Sequence, residues 1–282
     1  MASSPNWGFC NTSVFRWLET RRTKTHSQDA GTRLSIAGLV ILGAVLQKNL
    51  SSGVRSFSSA QAKNDGGYVA SIEAGYAYTK VDGKDQTFPL DGELNGLDID
   101  VEIRSFENVV LEFGYRRDEG EFTRTDGLKT DYKRDIFNID AGYNFAPKEA
   151  TNEIIPFIGL TLIDAKNRVT VGGVNILSTQ NAQKGHLGLR VGKRWEKAYA
   201  SISGGWELTI DEDQEVPTTG ISQKGEVENS FFLKAKMSYQ LTDMLSIGIK
   251  PEFRYDDFDQ KNGARNVTQE EYSVTVFTGL NF

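Results

Sequence analysis

The feature that most constrains this chain is a two-residue alternation of polarity that recurs along almost all of it after Gly67. In GYVASIEAGYAYTK the even positions Tyr68, Ala70, Ile72, Ala74, Tyr76 and Tyr78 are apolar or aromatic, with Ser71, Glu73, Gly75 and Thr79 between them. In LDIDVEIR, Leu97, Ile99, Val101 and Ile103 alternate with Asp98, Asp100, Glu102 and Arg104. Side chains that change face at every residue mark a β-strand, and apolar positions at that period give it one greasy face. Ten such segments run through 67–80, 93–106, 109–117, 131–146, 153–165, 184–194, 198–210, 228–241, 244–257 and 270–282. Several reach ten residues or more. That exceeds the roughly five or six usual in globular sheets and approaches the roughly 9–11 that a tilted strand needs to cross a bilayer.

The connections point the same way. Counted from the first strand, they alternate between long polar stretches, such as RDEGEFTRTDGLKT, AKNRVTVGGVNILSTQNAQ and DEDQEVPTTGISQKGEVE, and short ones, such as EN, KRWEK and TD. Short turns on one side and long loops on the other are the pattern of an outer-membrane barrel, and an even strand number puts both ends on the short-turn side. Closure is also the only way strands can cross lipid, because an open edge would leave backbone groups unpaired there. The sequence therefore predicts an all-β fold: one closed antiparallel transmembrane β-barrel of about ten strands over residues 63–282, with short periplasmic turns and long extracellular loops.

On this reading the alternate face is the lumen. Asp98, Asp100, Glu102, Arg104, Glu112, Arg116, Asp140, Arg190, Glu207, Lys234, Lys236, Lys250, Glu252 and Arg254 are predicted to point inward, where charges of both signs can pair. Aromatic residues are predicted to form two belts. Tyr68, Phe106, Phe145, Trp195, Tyr199 and Phe282 lie toward the short turns; Tyr76, Tyr78, Tyr115, Tyr132, Trp206, Tyr255 and Tyr272 lie toward the long loops. The closing strand ends VTVFTGLNF. Tyr272, Val274, Val276, Leu280 and Phe282 are assigned to lipid, Ser273, Thr275, Gly279 and Asn281 to the lumen, and Phe277 is the one bulky inward exception.

Composition fits a barrel better than a soluble domain. Hydrophobic residues are 38% and mean hydropathy is −0.42, thin for a soluble core of this length, while 11% aromatics is too rich for disorder. The one cysteine is Cys10, so residues 63–282 can hold no disulfide, cysteine zinc site or thiol nucleophile. Those residues carry 25 Lys/Arg against 36 Asp/Glu, a net charge of −11, which argues against nucleic acid as a partner. Before them, Leu34 to Leu46 is an apolar run preceded by Arg33 and followed by Ala60 and Ala62. This reads as an export signal over residues 1–62, cleaved after Ala62; an organellar transit peptide, with an organellar outer membrane as destination, is the alternative.

DAGYNFAP (Asp140 to Pro147), IPFIGLTL (Ile155 to Leu162) and the terminal VFTGLNF resemble the opacity-type outer-membrane β-barrel family of Gram-negative bacteria. The resemblance implies an outer-membrane location, usually no catalysis, and a closing strand read by the barrel-assembly machinery, carried here by Tyr272, Val274, Val276, Leu280 and Phe282. Many members have eight strands, two fewer than predicted here.

Barrel enzymes give a direct comparison. Omptin proteases are similar in length and strand number, and use an Asp-x-His pair plus an Asp pair at the rim. His186 is the one histidine after residue 62 and is preceded by QKG, so that dyad is missing; the Asn-His-Ser set of the outer-membrane phospholipase is missing as well. GHLGLRVG lies within an alternating strand rather than at a strand-to-helix turn, and DEDQE lacks the spacing of a calcium loop. No catalytic, metal or cofactor site is expected. The expected function is that of a non-enzymatic outer-membrane protein presenting acidic surface loops in a structural, adhesion or interaction role, with outer-membrane lipid, lipopolysaccharide, the assembly machinery and an extracellular protein reached through the loops as partners; a small passive diffusion pore is the alternative function.

Overall fold

The computed structural model describes residues 69–85, 90–105, 108–124, 127–146, 151–171, 174–216, 221–224, 226–259 and 267–282. The predicted targeting segment, Tyr68 and Phe106 lie outside them. Eleven strands follow in order: β1 (Val69–Asp85), β2 (Leu90–Arg104), β3 (Val109–Arg124), β4 (Lys129–Tyr143), β5 (Asn152–Val171), β6 (Val174–Arg194), β7 (Ala198–Val216), β8 (Ile221–Lys224), β9 (Glu226–Gln240), β10 (Leu245–Asp259) and β11 (Val267–Asn281). β8 is a four-residue strand beside β7, and the other ten close into one antiparallel barrel through the β1–β11 and β6–β7 pairings. The seam reaches the last residue: the Phe282 amide donates to the Ala70 carbonyl at 2.8 Å.

The register fixes the shape. From Ser71, direct pairings lead through Glu102, Glu112, Asp140, Gly159, His186, Glu207, Ser230, Asp256 and Gln269 back to β1 at Gly83, twelve residues beyond the start. A stagger of that size over ten strands corresponds to a tilt of about 40°, within the range of membrane barrels.

Toward the short-turn end, outward positions are apolar. Ile72 to Tyr78 on β1, Leu97 to Ile103 on β2, Val109 to Tyr115 on β3, Phe137 to Tyr143 on β4 and Ile154 to Leu162 on β5 place apolar side chains outside at every second residue. β7, β9, β10 and β11 continue the band through Ile202, Trp206, Leu233, Met237, Ile247, Ile249, Val274 and Val276, all 40–66% exposed. A continuous exposed apolar band is stable against lipid and not against water, as on the outward face of an outer-membrane barrel.

The strands run well past that band. AKNRVTVGGVNILSTQNAQ, read from sequence as a loop, is built as paired strand to Val171 and from Val174 onward, and Val81–Asp85, Glu119–Arg124 and Asp211–Val216 are strand too. The polar connections are thus largely a β-wall standing on the band. At the short-turn end, β2 and β3 are joined by a tight turn in which Asn108 takes a left-handed φ of 64°, a conformation asparagine tolerates better than most residues. Pro251 falls where the β9–β10 ladder is interrupted between Ile249↔Met237 and Glu252↔Lys234, since proline has no amide hydrogen to donate.

Two belt assignments are corrected. Tyr199 and Tyr132 both sit on lumen-facing positions of their strands. Tyr199 lies under Arg194 and Lys236 by cation–π contact, and Tyr132 packs edge-on against Phe122 at 4.8 Å between ring centroids. In each case a neighbouring lumen side chain supplies a better partner for the ring than the lipid interface. Phe277 is inward and 2% exposed.

Candidate functional site

The lumen gathers the chain's charged chemistry. Parity of the strands aims Asp98, Asp100, Glu102 and Arg104 inward from β2, Glu112 and Arg116 from β3, Asp140 from β4, Arg190 from β6 and Glu207 from β7. Lys234 and Lys236 come from β9, and Lys250, Glu252 and Arg254 from β10.

Near the short-turn end, Arg104 bridges Glu102 and Glu153, each at 2.5 Å, and Arg190 bridges Glu102 at 2.8 Å and Glu112. One level up, Lys250 reaches Asp98 at 2.8 Å and Asp100, while Lys236 meets Glu73 at 2.5 Å. Both ammonium groups also stand over the Phe277 ring, at 5.2 and 5.6 Å from its centroid. The inward phenylalanine of the closing strand is therefore a platform for the two central lysines, an attraction between cation and ring face that desolvation strengthens.

His186 contacts Asp140 through Nε2 and Thr161 through Nδ1 at 3.3 Å, with Phe157 and Phe232 edge-on to its ring. A Cβ at Gly159 would collide with both Asp140 and His186. The bare backbone of the IPFIGL stretch is what gives the pair room.

At the top of the apolar band a third layer crosses the barrel. Arg116 bonds Asp118 at 2.9 Å and lies 3.7 Å from Glu252; Arg254 lies 3.4 Å from Glu252 and 3.5 Å from Glu207. Lys184 meets Asp256 at 2.9 Å and Glu207 at 3.5 Å. Arg134 bonds Asp118 at 2.9 Å and grips Glu271 on the far wall with two hydrogen bonds of 2.7 and 2.8 Å. Glu271 stands just above Tyr272, the last outward aromatic of the band on β11. Burial alone would raise its carboxyl, but Arg134 outweighs burial and holds it at about 2. Above this layer Val81, Leu94, Phe122 and Tyr132 form an apolar cluster inside the wall.

Little space remains. The cavity among Asp98, Arg116, Lys234, Lys250, Glu252 and Glu271 has a volume of about 30 Å³, room for about two or three waters. A second, of about 90 Å³, opens at the short-turn mouth beside Glu73, Arg104, Tyr199 and Lys236. Among the described residues no group of three or more His, Cys, Asp and Glu side chains is placed to hold a metal ion.

Sequence reasoning left Glu73, Asp118, Arg134, Glu153, Lys184, His186, Asp256 and Glu271 out of the lumen set. Asp118, Arg134, Lys184, His186 and Asp256 share the parity of a member of that set on their own strand, and Glu73, Glu153 and Glu271 alternate with the apolar positions of theirs, so the register of the strand carried the missing signal. Tyr272, Val274, Val276, Leu280 and Phe282 are exposed on the outer face of the closing strand.

No family model matches the chain, and no curated protein matches its sequence. Its fold is similar to that of solved bacterial outer-membrane barrels. The outer-membrane protease OmpT from Escherichia coli is 12% identical with a TM-score of 0.50, over 76% of this chain and 96% of that one. Neisserial surface protein A is 16% identical with a TM-score of 0.34, over 76% and 97%. The outer-membrane protein OprG from Pseudomonas aeruginosa is 10% identical with a TM-score of 0.38, over 78% and 98%. At such identities the likeness is one of fold.

Proposed function

We propose that the chain is a non-enzymatic integral protein of a bacterial outer membrane, its lumen closed, acting outward through the wall and hairpins on the long-loop side. The observation that carries this reading is the filled lumen: three layers of ion pairs and an apolar cluster leave a central cavity of only about 30 Å³. Small barrels are filled by their own side chains, whereas aqueous channels belong to barrels of roughly 16–18 strands. The apolar band and the fold support the location. The acidic hairpins support contacts with lipopolysaccharide, through bridging divalent ions, or with an extracellular protein. His186, at 8% exposed and enclosed by Phe157 and Phe232, has no open face for a substrate.

The experiment is conductance of refolded protein across a planar bilayer. A closed lumen gives no stable unitary currents; their appearance would replace this reading with the diffusion pore. Membrane assembly has its own test. If Tyr272, Val274, Val276, Leu280 and Phe282 form the signal for the assembly machinery, deleting Phe282 lowers outer-membrane yield, and unchanged yield would remove that role.

A further inference from the structure

The filling of the lumen stops short of the short-turn mouth. The cavity of about 90 Å³ there has room for about six to nine waters, and it shares no lining residue with the central cavity of about 30 Å³. Phe277 separates the two. On β11 it lies between Thr275, which lines the upper cavity, and Asn281, which lines the lower; on β10 Gly248 lies between Lys250 and Ser246 in the same way. The lower cavity is therefore a blind pocket, entered and left by one mouth.

Its lining is polar and only partly engaged. The Glu73 carboxylate meets Lys236 through Oε1 at 2.5 Å, but its buried Oε2 accepts no hydrogen bond, and Lys250 stands 3.9 Å from it. Ser71, Ser238 and Asn281 line the same pocket, and their side chains make no hydrogen bond among the described residues. At the rim, in the turn between β6 and β7, Trp195 is 49% exposed, with the Lys193 ammonium over its ring at 5.6 Å. Buried polar groups are ordinarily satisfied, so this wall presents one half of a hydrogen-bonded arrangement.

We propose that this pocket binds a neutral sugar ring from the short-turn side, its hydroxyls bonded to Glu73, Ser71, Ser238 and Asn281 and its apolar face against Trp195. Charge selects the class. An ammonium brought to Glu73 would stand beside Lys236, and a phosphate or carboxylate would stand beside Glu73 and Glu102, so an ion of either sign meets a like charge. The inner charges already pair with one another, Glu73 with Lys236 and Glu102 with Arg104. A neutral molecule enters without breaking those pairs. A hydroxyl both donates and accepts, so it can donate to the Glu73 carboxylate or accept from the Asn281 amide. Several hydroxyls on one rigid ring reach several groups of the wall with little loss of conformational freedom. Indole offers the C–H face of such a ring a flat apolar surface. The pocket lies away from the long-loop side and does not depend on what that side contacts.

The test is isothermal titration calorimetry of the refolded full chain, in a detergent without a sugar head group, with glucose and N-acetylglucosamine. At least one of them is expected to bind one to one in the millimolar range or tighter, while ethanolamine and inorganic phosphate give only the heat of dilution. Ser238→Leu fills the pocket from β9 without touching an ion pair and is expected to weaken binding at least about tenfold. Asn281→Ala removes one hydrogen-bonding group and is expected to weaken it about twofold to tenfold. Unchanged heat-modifiable gel mobility shows that both variants keep the barrel. No heat with either sugar, or binding that Ser238→Leu leaves unchanged, would overturn the site. Ethanolamine or phosphate binding in place of the sugars would overturn it too, since the pocket would then hold an ion. A β-linked N-acetylglucosamine tetramer separates the sources: tighter binding than the single sugar assigns the end of a glycan chain, and equal or weaker binding assigns a free sugar. The readout is binding rather than passage, so its failure is distinct from unitary currents appearing in the bilayer experiment above.

Discussion

From Ile154 to Leu162, β5 sends Ile154, Pro156, Ile158, Leu160 and Leu162 outward, with Glu153 buried at the inward position below them; from Asp164 to Thr170 its outward residues are Asp164, Lys166, Arg168 and Thr170 and its inward ones include Ala165 and Val169. β3 and β4 invert at the same level. Below it, Tyr115 and Phe137 face out and Arg116 faces in; above it, Glu121, Lys129 and Lys133 face out and Phe122 and Tyr132 face in. The lower part is built for lipid, greasy outside and ion-paired inside, while the upper part is built for water, charged outside and apolar inside. On these three strands the alternation is unbroken, and only its sign changes where the surrounding solvent changes.

The strongest test of this contrast is to remove a lumen charge from the lower part. Lys250 is 5% exposed and is shared by Asp98, Asp100 and, at 3.9 Å, Glu73. Lys250→Met takes the ion-pair partner from Asp98 and Asp100, while Glu73 keeps Lys236, a loss of about 3–5 kcal/mol for a broken buried pair. Urea titration of the barrel refolded in vesicles measures it. A loss below about 1 kcal/mol would mean that the lumen is far wetter than its geometry indicates.

The outer face gives the next largest effect. Ile158 is 68% exposed in the middle of the apolar band. Ile158→Arg is expected to destabilise the refolded barrel by about 2–4 kcal/mol, whereas Lys166→Ile, eight residues up the same face, stays within about 0.5 kcal/mol. Equal effects at the two positions would erase the boundary between lipid and water drawn here.

That boundary also explains what the sequence made legible. All ten barrel strands were predicted, because in the lower part the apolar phase of the alternation is unmistakable in stretches such as LDIDVEIR. The upper wall was read as loop because AKNRVTV keeps the period and reverses its phase: Lys166 and Arg168 look like loop charges until Ala165 and Val169 are seen facing inward on a strand paired along its whole length. The lumen partners were less legible. Arg134 and Glu271 are 137 residues apart, and only the stagger of the closed barrel sets one across from the other.

The upper interior is a small soluble-style core and should respond as one. Leu94 is fully buried against Val81 and Phe122. Leu94→Ala is expected to destabilise by about 2–3 kcal/mol, the lower part of the range for such truncations, since the cluster is small. Hydrogen exchange should speed up in β1–β3 above Tyr78 and Tyr115 while amides within the apolar band stay protected. Uniform acceleration would mean that the wall and the band unfold as one unit.

The smallest effect separates the two faces of the wall itself. Glu271 and Glu119 each serve the strands beside Arg134 and Lys133, one from inside and one from outside. Glu271 is 7% exposed and doubly bonded to Arg134. Its carboxyl titrates at about 2 in the fold against an ordinary 4.5, so its contribution is complete above 4.5 and is lost as pH falls toward 2. Glu271→Gln should therefore flatten that stretch of the acid-stability curve. Glu119 bridges Arg117 at 3.0 Å and Lys133 at 2.9 Å in open solvent, where water and salt screen both contacts. Lys133 and Arg117, by hydrogen bonding, hold its carboxyl somewhat below the ordinary range, yet Glu119→Gln is expected to leave the urea midpoint and the acid-stability curve unchanged within error. A shift as large as that of Glu271→Gln would show that the outer charges of the wall are not solvated, and would move the top of the lipid band above Glu119.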